Sequence, residues 1–589
     1  MPSDPHSFSD PDQGRIARVD LRIQPDFASR TVGLRIHYAL DRPVDGSFFL
    51  DVRDLHSVRV YAQAGDLRWS IDREDAILGQ RLHIERLDRV QEFSIDVTTD
   101  AGARALQWLE PEQTAGGAHP FLYSQCQAIQ ARSLLPCQDS PSVRFTYTAE
   151  VEAPAPLVAV MAAASAGVTR RSDSSVYRFT MPQPIPSYLL AFAVGNLDFR
   201  ALGPRTGIYA EPELLEAAAW EFADNETRVL EAEKLFGPYL WDRYDVLVMP
   251  PAFPFGGMEN PRLTFLNGAY VQGDRSGVWL IAHELAHAWT GNLVTNATWE
   301  DFWLNEGATT YAESRISEVT EGVETARLRV AGRARRLVRE IERLGADSPM
   351  TRLRMPLKGK DADESYGEIA YYKGLLLFLR LEQASGRPSF DAFLRSYIDA
   401  FRFRSISSEE FLMFLEARLP EAARAVNPRR WIYEPGLPPG AAEVSSTLRD
   451  DALAVTEAYR RGERPTPERV AGWTRLQQGV FLVSLLPRIP ASDCAYLEEL
   501  FRIRGTRDGE LLCRFSELAV RSGYREALPA YEAFFSSVGR YSFHEPVFRA
   551  LAEETWSRPL ARPLLERWRH RHHPATAAAI ERILSQAGL

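Results

Sequence analysis

Near residue 200 the apolar residues of this chain change their spacing, and that switch limits the folds open to it. Before it the period is two. In "ARVDLRI", Val19, Leu21 and Ile23 fall on one face while Arg18, Asp20 and Arg22 fall on the other; "SVRFTYTAEV" repeats the pattern with Val143, Phe145 and Tyr147. Such alternation suits half-buried strands joined by turns, so an antiparallel β domain is expected over 15–198. Beyond it, "EPELLEAAAWEFADNETRVLEAEKLFGPYL" and "VETARLRVAGRARRLVREIERL" carry apolar residues at helical three- and four-residue spacing. Helices mixed with a few strands are expected over 199–440. The run "YEPGLPPGAAEVSS", with Pro435, Gly436, Pro438 and Pro439, cannot continue a helix. A linker is therefore placed at 441–452, and the purely helical patterns of 453–589 predict an all-α, solenoid-like C-terminal domain. The fold class is multidomain α+β.

The 589 residues suffice for three or four domains of about 150 each, and 45% apolar composition can supply their cores. A net charge of −10 offers no basic footprint for nucleic acid or an anionic membrane. No run of about 20 apolar residues occurs, so no membrane span is expected. Residues 1–14, "MPSDPHSFSDPDQG", lack a basic segment followed by an apolar one and are expected as a flexible tail. The cytoplasm is the expected location, and a monomer the expected state. Four cysteines are too few for a disulfide framework, so Cys126 and Cys137 are expected reduced and buried.

"HELAH" puts His283 and His287 at i and i+4, on one face of a helix, where two imidazoles can share a Zn²⁺ while Glu284 leans toward water. Alone, the pentapeptide has chance odds of roughly one in sixty, and two core-edge histidines would look the same. Glu306 follows nineteen positions after His287, inside "WEDFWLNEGATTYAES". It completes the three ligands a catalytic zinc needs beside an open position, and lowers the chance odds to about one in a thousand. Zinc would polarise a carbonyl, and Glu284 would take a proton from water and pass it to the leaving amine. Glu313, seven residues beyond Glu306, is either an acceptor orienting a ligand imidazole or a solvated helix carboxylate. Physics alone makes Tyr366, Tyr371 and Tyr372 of "SYGEIAYYKGLLLFLRLE" packing residues. Glu259, in "FPFGGMENPRLTFLN", stands 24 residues before His283 and by itself reads as a turn carboxylate. "RWRHRHHP", with His570, His572 and His573, reads as the exposed cationic end of a helix rather than a second metal site, and Lys373 as a helix-start residue.

Together "GGMEN", "HELAH" with Glu306, and "YYKG" resemble the gluzincin aminopeptidases of the alanyl-aminopeptidase type. "SQCQAIQARSLLPCQDSPSVRFTYTAEV", "WTGNLVTNATWEDFWLNEG" and "WIYEPGLPP" look more like the leukotriene A-four hydrolase branch of that family. The resemblance implies a thermolysin-like mixed α/β catalytic domain between the other two, one Zn²⁺ per chain held by His283, His287 and Glu306, and peptide substrates with a free N-terminus. It further implies that Glu259 binds the substrate's α-amino group with help from Gln127, and that Gly256, Gly257 and Met258 lay their backbone along the peptide. Tyr371 would stabilise the oxyanion, which reverses the packing reading, and Tyr366 would line the pocket. Arg540 would grip a substrate carboxylate, against the alternative of a surface arginine. Asp363 matches the aspartate linked to epoxide opening, against that of a solvated acidic loop, so a lipid-epoxide hydrolase at the same zinc is the alternative activity. A non-catalytic scaffold would not need these groups, and an endopeptidase would not need Glu259. Phe255 replaces a tyrosine frequent in the branch, and Ser542 stands where a lysine is expected.

Overall fold

A computed structural model describes residues 4–589; residues 1–3 of the expected tail lie outside the described residues. Alternation becomes burial as the spacing demands: strand β1 (Ile16–Asp26) turns Val19, Leu21 and Ile23 inward. It pairs antiparallel with β2 (Thr31–Val44), Val19 facing Tyr38, and parallel with β3 (Arg144–Pro154), Val19 facing Tyr147. The eight-stranded sheet built around them is antiparallel in every pair but β1–β3. That exception is possible because the rest of the domain connects the two strands, giving the long crossover a parallel pair requires.

Residues 4–14 do not hang free as expected. Arg132 donates to the His6 carbonyl (2.7 Å), while the Ser7 hydroxyl and Phe8 amide donate to Asp51 (2.5 and 2.7 Å). Asp51 is fully buried, and a carboxylate out of water needs such donors. The His6 ring lies 3.1 Å from the carbonyl of Lys360, so this segment also touches the loop that carries Asp363.

In the middle domain a five-stranded sheet supports the site. Strands β4 (Tyr244–Met249) and β6 (Leu263–Asn267) run parallel. The short β5 (Gly257–Met258) pairs antiparallel with β6 and forms the sheet edge. Beside it run helices α1 (Trp279–Ala286), α2 (Trp303–Thr320) and α3 (Val323–Leu344). Every residue of α2 from Trp303 to Ser317 is buried, polar ones included, so that helix lies at the centre of the molecule.

The first helix of the C-terminal domain, Thr447–Arg460, starts inside the segment expected as a linker. Ser446 caps it by accepting from the Arg449 amide, one of the donors a helix start leaves unpaired. The helices continue to Gln586. Those between Val455 and Ala527 share a separate core, whereas later ones, with Val547, Leu551 and Ile580, join the main core running through the other domains. The C-terminal domain thus folds back over the rest of the chain.

One sequence expectation fails at that contact. His572 and His573 are buried rather than exposed; the His573 ring meets the Gln107 amide oxygen, and Gln113 Nε2 donates to the His572 carbonyl (3.3 Å). Burial pulls both imidazoles down to about 4, so they are neutral packing groups between the last domain and the first. Lys373 does stand at a helix start, capping Gly374–Ser385, and it is buried there, donating to the carbonyls of Thr351 (2.8 Å) and Glu434 (3.1 Å). The four cysteines are free and buried. No helix among the described residues is long and apolar enough to cross a membrane.

Candidate active site

One turn of α1 brings His283 Nε2 and His287 Nε2 to 3.2 Å from each other. Each ring is turned by a bond at its other nitrogen. His283 Nδ1–H donates to Glu313 (3.1 Å), and His287 Nδ1–H donates to Thr309 Oγ1 (3.2 Å), whose own proton goes to the Thr290 carbonyl. Both Nε2 lone pairs therefore point at the same space. Gly291 leaves room on the other side of the His287 ring: its φ is +120° and a Cβ there would stand 2.6 Å from His287 Nδ1.

Glu306, in the first turn of α2, places Oε2 at 3.4 Å from His283 Nε2 and 3.6 Å from His287 Nε2. That oxygen is buried and has no hydrogen-bond partner. A tetrahedral Zn²⁺ with bonds of about 2.0–2.1 Å needs ligand atoms about 3.3 Å apart. The three atoms form such a triangle, and a cation among them would satisfy the otherwise orphaned oxygen, so the residues fit zinc.

Glu313 is fully buried, which decides between its two readings. Arg333 of α3 donates to both its oxygens (2.9 and 2.8 Å) and, with His283, holds the carboxyl down at about 2 despite the burial that opposes it. Arg333 also lies over the rings of Trp279 and Tyr372, so α1, α2, α3 and the Tyr371–Tyr372 turn meet at one guanidinium.

Tyr371 sits in a π-helical turn, Ile369–Lys373, its ring stacked 6.2 Å from His283. A glycine pair makes this approach possible. Gly374 follows the turn and Gly307 follows Glu306; a Cβ on Gly374 would stand 2.6 Å from the Gly307 Cα. Only two bare backbones allow the helices to cross so closely and set the Tyr371 side chain beside His283 and Glu306. Burial, then the Glu306 charge, hold its phenol well above the usual range, so it remains an O–H donor.

The sheet edge supplies the opposite wall. A Cβ on Gly257 would stand 2.3 Å from Glu284 Oε1, and one on Gly256 3.2 Å from Arg540 Nη2. These glycines leave room for two charged side chains. Glu284 is buried, and burial, with Glu306 adding to it, pushes its carboxyl up to about 8. Met258 is buried, with Gln125 Nε2 at 3.1 Å from its sulfur. Glu259 turns inward beyond the strand. It accepts from Gln127 Nε2 (3.0 Å), and Asn292, two residues after Thr290, donates to its backbone carbonyl (2.6 Å). Burial first, then Glu306 and Glu284, hold its carboxyl well above the ordinary range.

Arg540 reaches in from the C-terminal domain, stacked on Tyr270 (5.2 Å) and Phe543 (4.8 Å). It enters no ion pair among the described residues, and burial alone pulls it down to about 10. Tyr366 packs edge-on against Phe302 (5.2 Å) at the mouth of the cleft. Asp363 lies beside the Ala128 amide; crowding by protein, then Asp361, holds it up at about 6 although water reaches it. Phe255 is 44% exposed, 5.6 Å from Phe253, and Ser542 faces solvent.

Contacts connect Gln127 to Glu259, Gly257 to Glu284, Gly256 to Arg540 and Tyr371 to His283 where the three domains meet; Tyr366 joins them through Phe302, while Asp363 lies at the border beside Ala128. Thr309, Asn292 and Arg333 were not picked from the sequence. Thr309 stands one helical turn after Glu306 and so on its face, a signal open to inspection. Arg333 left no local signal, because its partner is 20 residues away on another helix.

Residues 55–189 match the peptidase M1 N-terminal domain, 222–430 the peptidase family M1 domain, and 473–584 the leukotriene A4 hydrolase C-terminal domain. The chain is 37% identical over 570 residues to a leukotriene A-4 hydrolase of Xenopus laevis, covering 93% of this chain and 94% of that protein. It is 35% identical over 514 residues to a leucine aminopeptidase 2 of Ajellomyces capsulatus, covering 85% and 82%. The solved structure of native yeast LTA4 hydrolase superposes with a TM-score of 0.90 at 29% identity, over 99% of this chain and 97% of that one. An M1 zinc metallopeptidase from Deinococcus radiodurans shares the fold over 75% of this chain and all of its own, with a TM-score of 0.58 at 23% identity.

Proposed function

Since the chain belongs to peptidase family M1 and is a zinc-dependent aminopeptidase, we propose that it removes the first residue from short peptides through the groups gathered in this cleft. Zinc, when bound, supplies a Lewis acid that polarises the scissile carbonyl and makes water easier to deprotonate. His283, His287 and Glu306 hold it, one ion per chain: a second cluster of possible ligands, Glu259, Glu284 and His287, shares His287 and serves the substrate instead. Glu284 takes a proton from the attacking water and hands it to the nitrogen of the departing peptide, so water's two parts end on the two products. Tyr371 donates its O–H to the oxyanion that forms. The backbone of Gly256, Gly257 and Met258 pairs with the extended peptide along the free sheet edge.

One observation carries the exopeptidase reading: Glu259 is a buried carboxylate, steered by Gln127, with no cationic side chain paired to it among the described residues. Once Glu313 is matched by Arg333, the carboxyls of Glu259, Glu284 and Glu306 remain, and burial with mutual repulsion resists ionising Glu259 and Glu284. A divalent metal and one substrate ammonium would let all three ionise together. The span from Glu259 to Gly256, beside Arg540, is about 10 Å of extended chain, which suits a tripeptide with both termini free. The same chain supplies every group, so a monomer suffices, and the four free buried cysteines suit a reducing cytoplasm.

Glu259→Gln is expected to lower kcat/KM for free-amine substrates roughly 10- to 100-fold, the loss of a charged hydrogen bond, while zinc content holds. Wild-type enzyme that cleaves N-acetylated and free peptides equally fast would sink the assignment. A second reading adds epoxide hydrolysis, supported by the similarity to a leukotriene A-4 hydrolase and by Asp363 at the cleft wall beside Ala128. Asp363→Asn should then abolish turnover of a fatty-acid epoxide and spare aminoacyl amides; loss of both, or of neither, counts against it.

A further inference from the structure

Arg540 comes from the helical domain, yet it works in a cleft whose other walls belong to the rest of the chain. The turn 538–540 that carries it is gripped from two sides. On one side the Gly539 amide donates to the Pro251 carbonyl (2.7 Å), a few residues before the edge strand, and a Cβ on Gly539 would stand 2.6 Å from the Ala252 carbonyl oxygen. On the other, Thr576 Oγ1 donates to the Gly539 carbonyl (2.8 Å) and His544 Nε2–H to the Val538 carbonyl (2.8 Å).

Thr576 and His544 are completely buried, so neither bond competes with water. The His544 tautomer is set as well, since its Nδ1 accepts from the Tyr531 hydroxyl (3.2 Å). Thr576 lies on the last helix, Pro574–Gln586, directly after the two histidines that dock this domain onto the first. The backbone of Arg540 is thus tied to the middle domain through Pro251 and to the docking helix through Thr576. Its guanidinium then needs little further ordering, because the Tyr270 and Phe543 rings already pack against the head group. A long side chain fixed before binding loses less entropy when it grips its ligand.

We propose that Gly539, His544 and Thr576 are positioning residues for a substrate's free carboxylate, so that the helical domain, docked and clamped at this turn, sets the enzyme's selectivity for peptide acids. The inference rests on Arg540 as the carboxylate anchor. None of the three touches the substrate; they act through the place they give Arg540.

The test compares tripeptide acids, their C-terminal amides and aminoacyl anilides, which carry no carboxylate, on the zinc-loaded full chain. Arg540→Gln is expected to erase the acid-over-amide preference. Thr576→Val, close in shape, should cut that preference about three- to ten-fold, chiefly through KM for the acids, with anilide kcat/KM held within about two-fold. Gly539→Ala should cut it further, because the Ala252 carbonyl must give way. Equal losses on acids and anilides, or an unchanged preference in both variants, would overturn the positioning role. An Arg540→Gln enzyme that keeps its preference overturns the carboxylate reading, and the inference with it.

Discussion

Replacing Glu284 by glutamine is expected to lower kcat by about 10²- to 10⁴-fold, the range for a lost general acid–base group, with little change in KM. The glutamine fits where the glutamate stood, because the bare Gly257 backbone leaves a slot of that shape beside it. Alanine would open the slot and confuse a chemical loss with a structural one. Zinc should remain at wild-type stoichiometry, measured by metal analysis after dialysis, since Glu284 is not one of the three groups whose free atoms converge. Chelation should silence the wild type, and added zinc should restore the wild type but not the variant. A variant that keeps zinc and retains more than about a tenth of kcat would show that another group moves the proton.

Tyr371→Phe should cost about 10²- to 10³-fold in kcat, the loss of a single oxyanion donor. The ring's neighbours, His283, Phe302 and Tyr372, are all aromatic contacts that phenylalanine keeps. KM and the thermal midpoint should therefore stay near wild type. If kcat holds while zinc is bound, the oxyanion donor lies elsewhere. If zinc is lost, the hydroxyl acts chiefly on neighbouring Glu306, and chelator competition at equilibrium separates these outcomes.

Much of the site was legible because its parts are local. His283 and His287 need only one helical turn to face the same way, and that turn is a property of the backbone. Glu306 and the Gly256–Glu259 motif were legible by spacing and resemblance. Glu313 was not decided, since a helix carboxylate seven residues past Glu306 looks the same whether water or Arg333 faces it. Asn292 escaped because its value lies in one bond to the Glu259 backbone, 33 residues away. The close crossing of Gly307 and Gly374 could not be foreseen either, although both glycines lie in the quoted motifs.

From its amino acids alone the chain declared where strands give way to helices and which helix face presents two imidazoles together. These depend on side-chain period and on geometry within a few residues. Tertiary structure alone decided that residues 4–14 feed buried Asp51, that His572 and His573 are neutral docking groups, and that Gln127 and Arg540 close one cleft from opposite ends of the chain. The reason is physical: a side chain's charge, exposure and partner are set by the surface packed against it. For these residues that surface comes from dozens to hundreds of positions away, where no local pattern can record it.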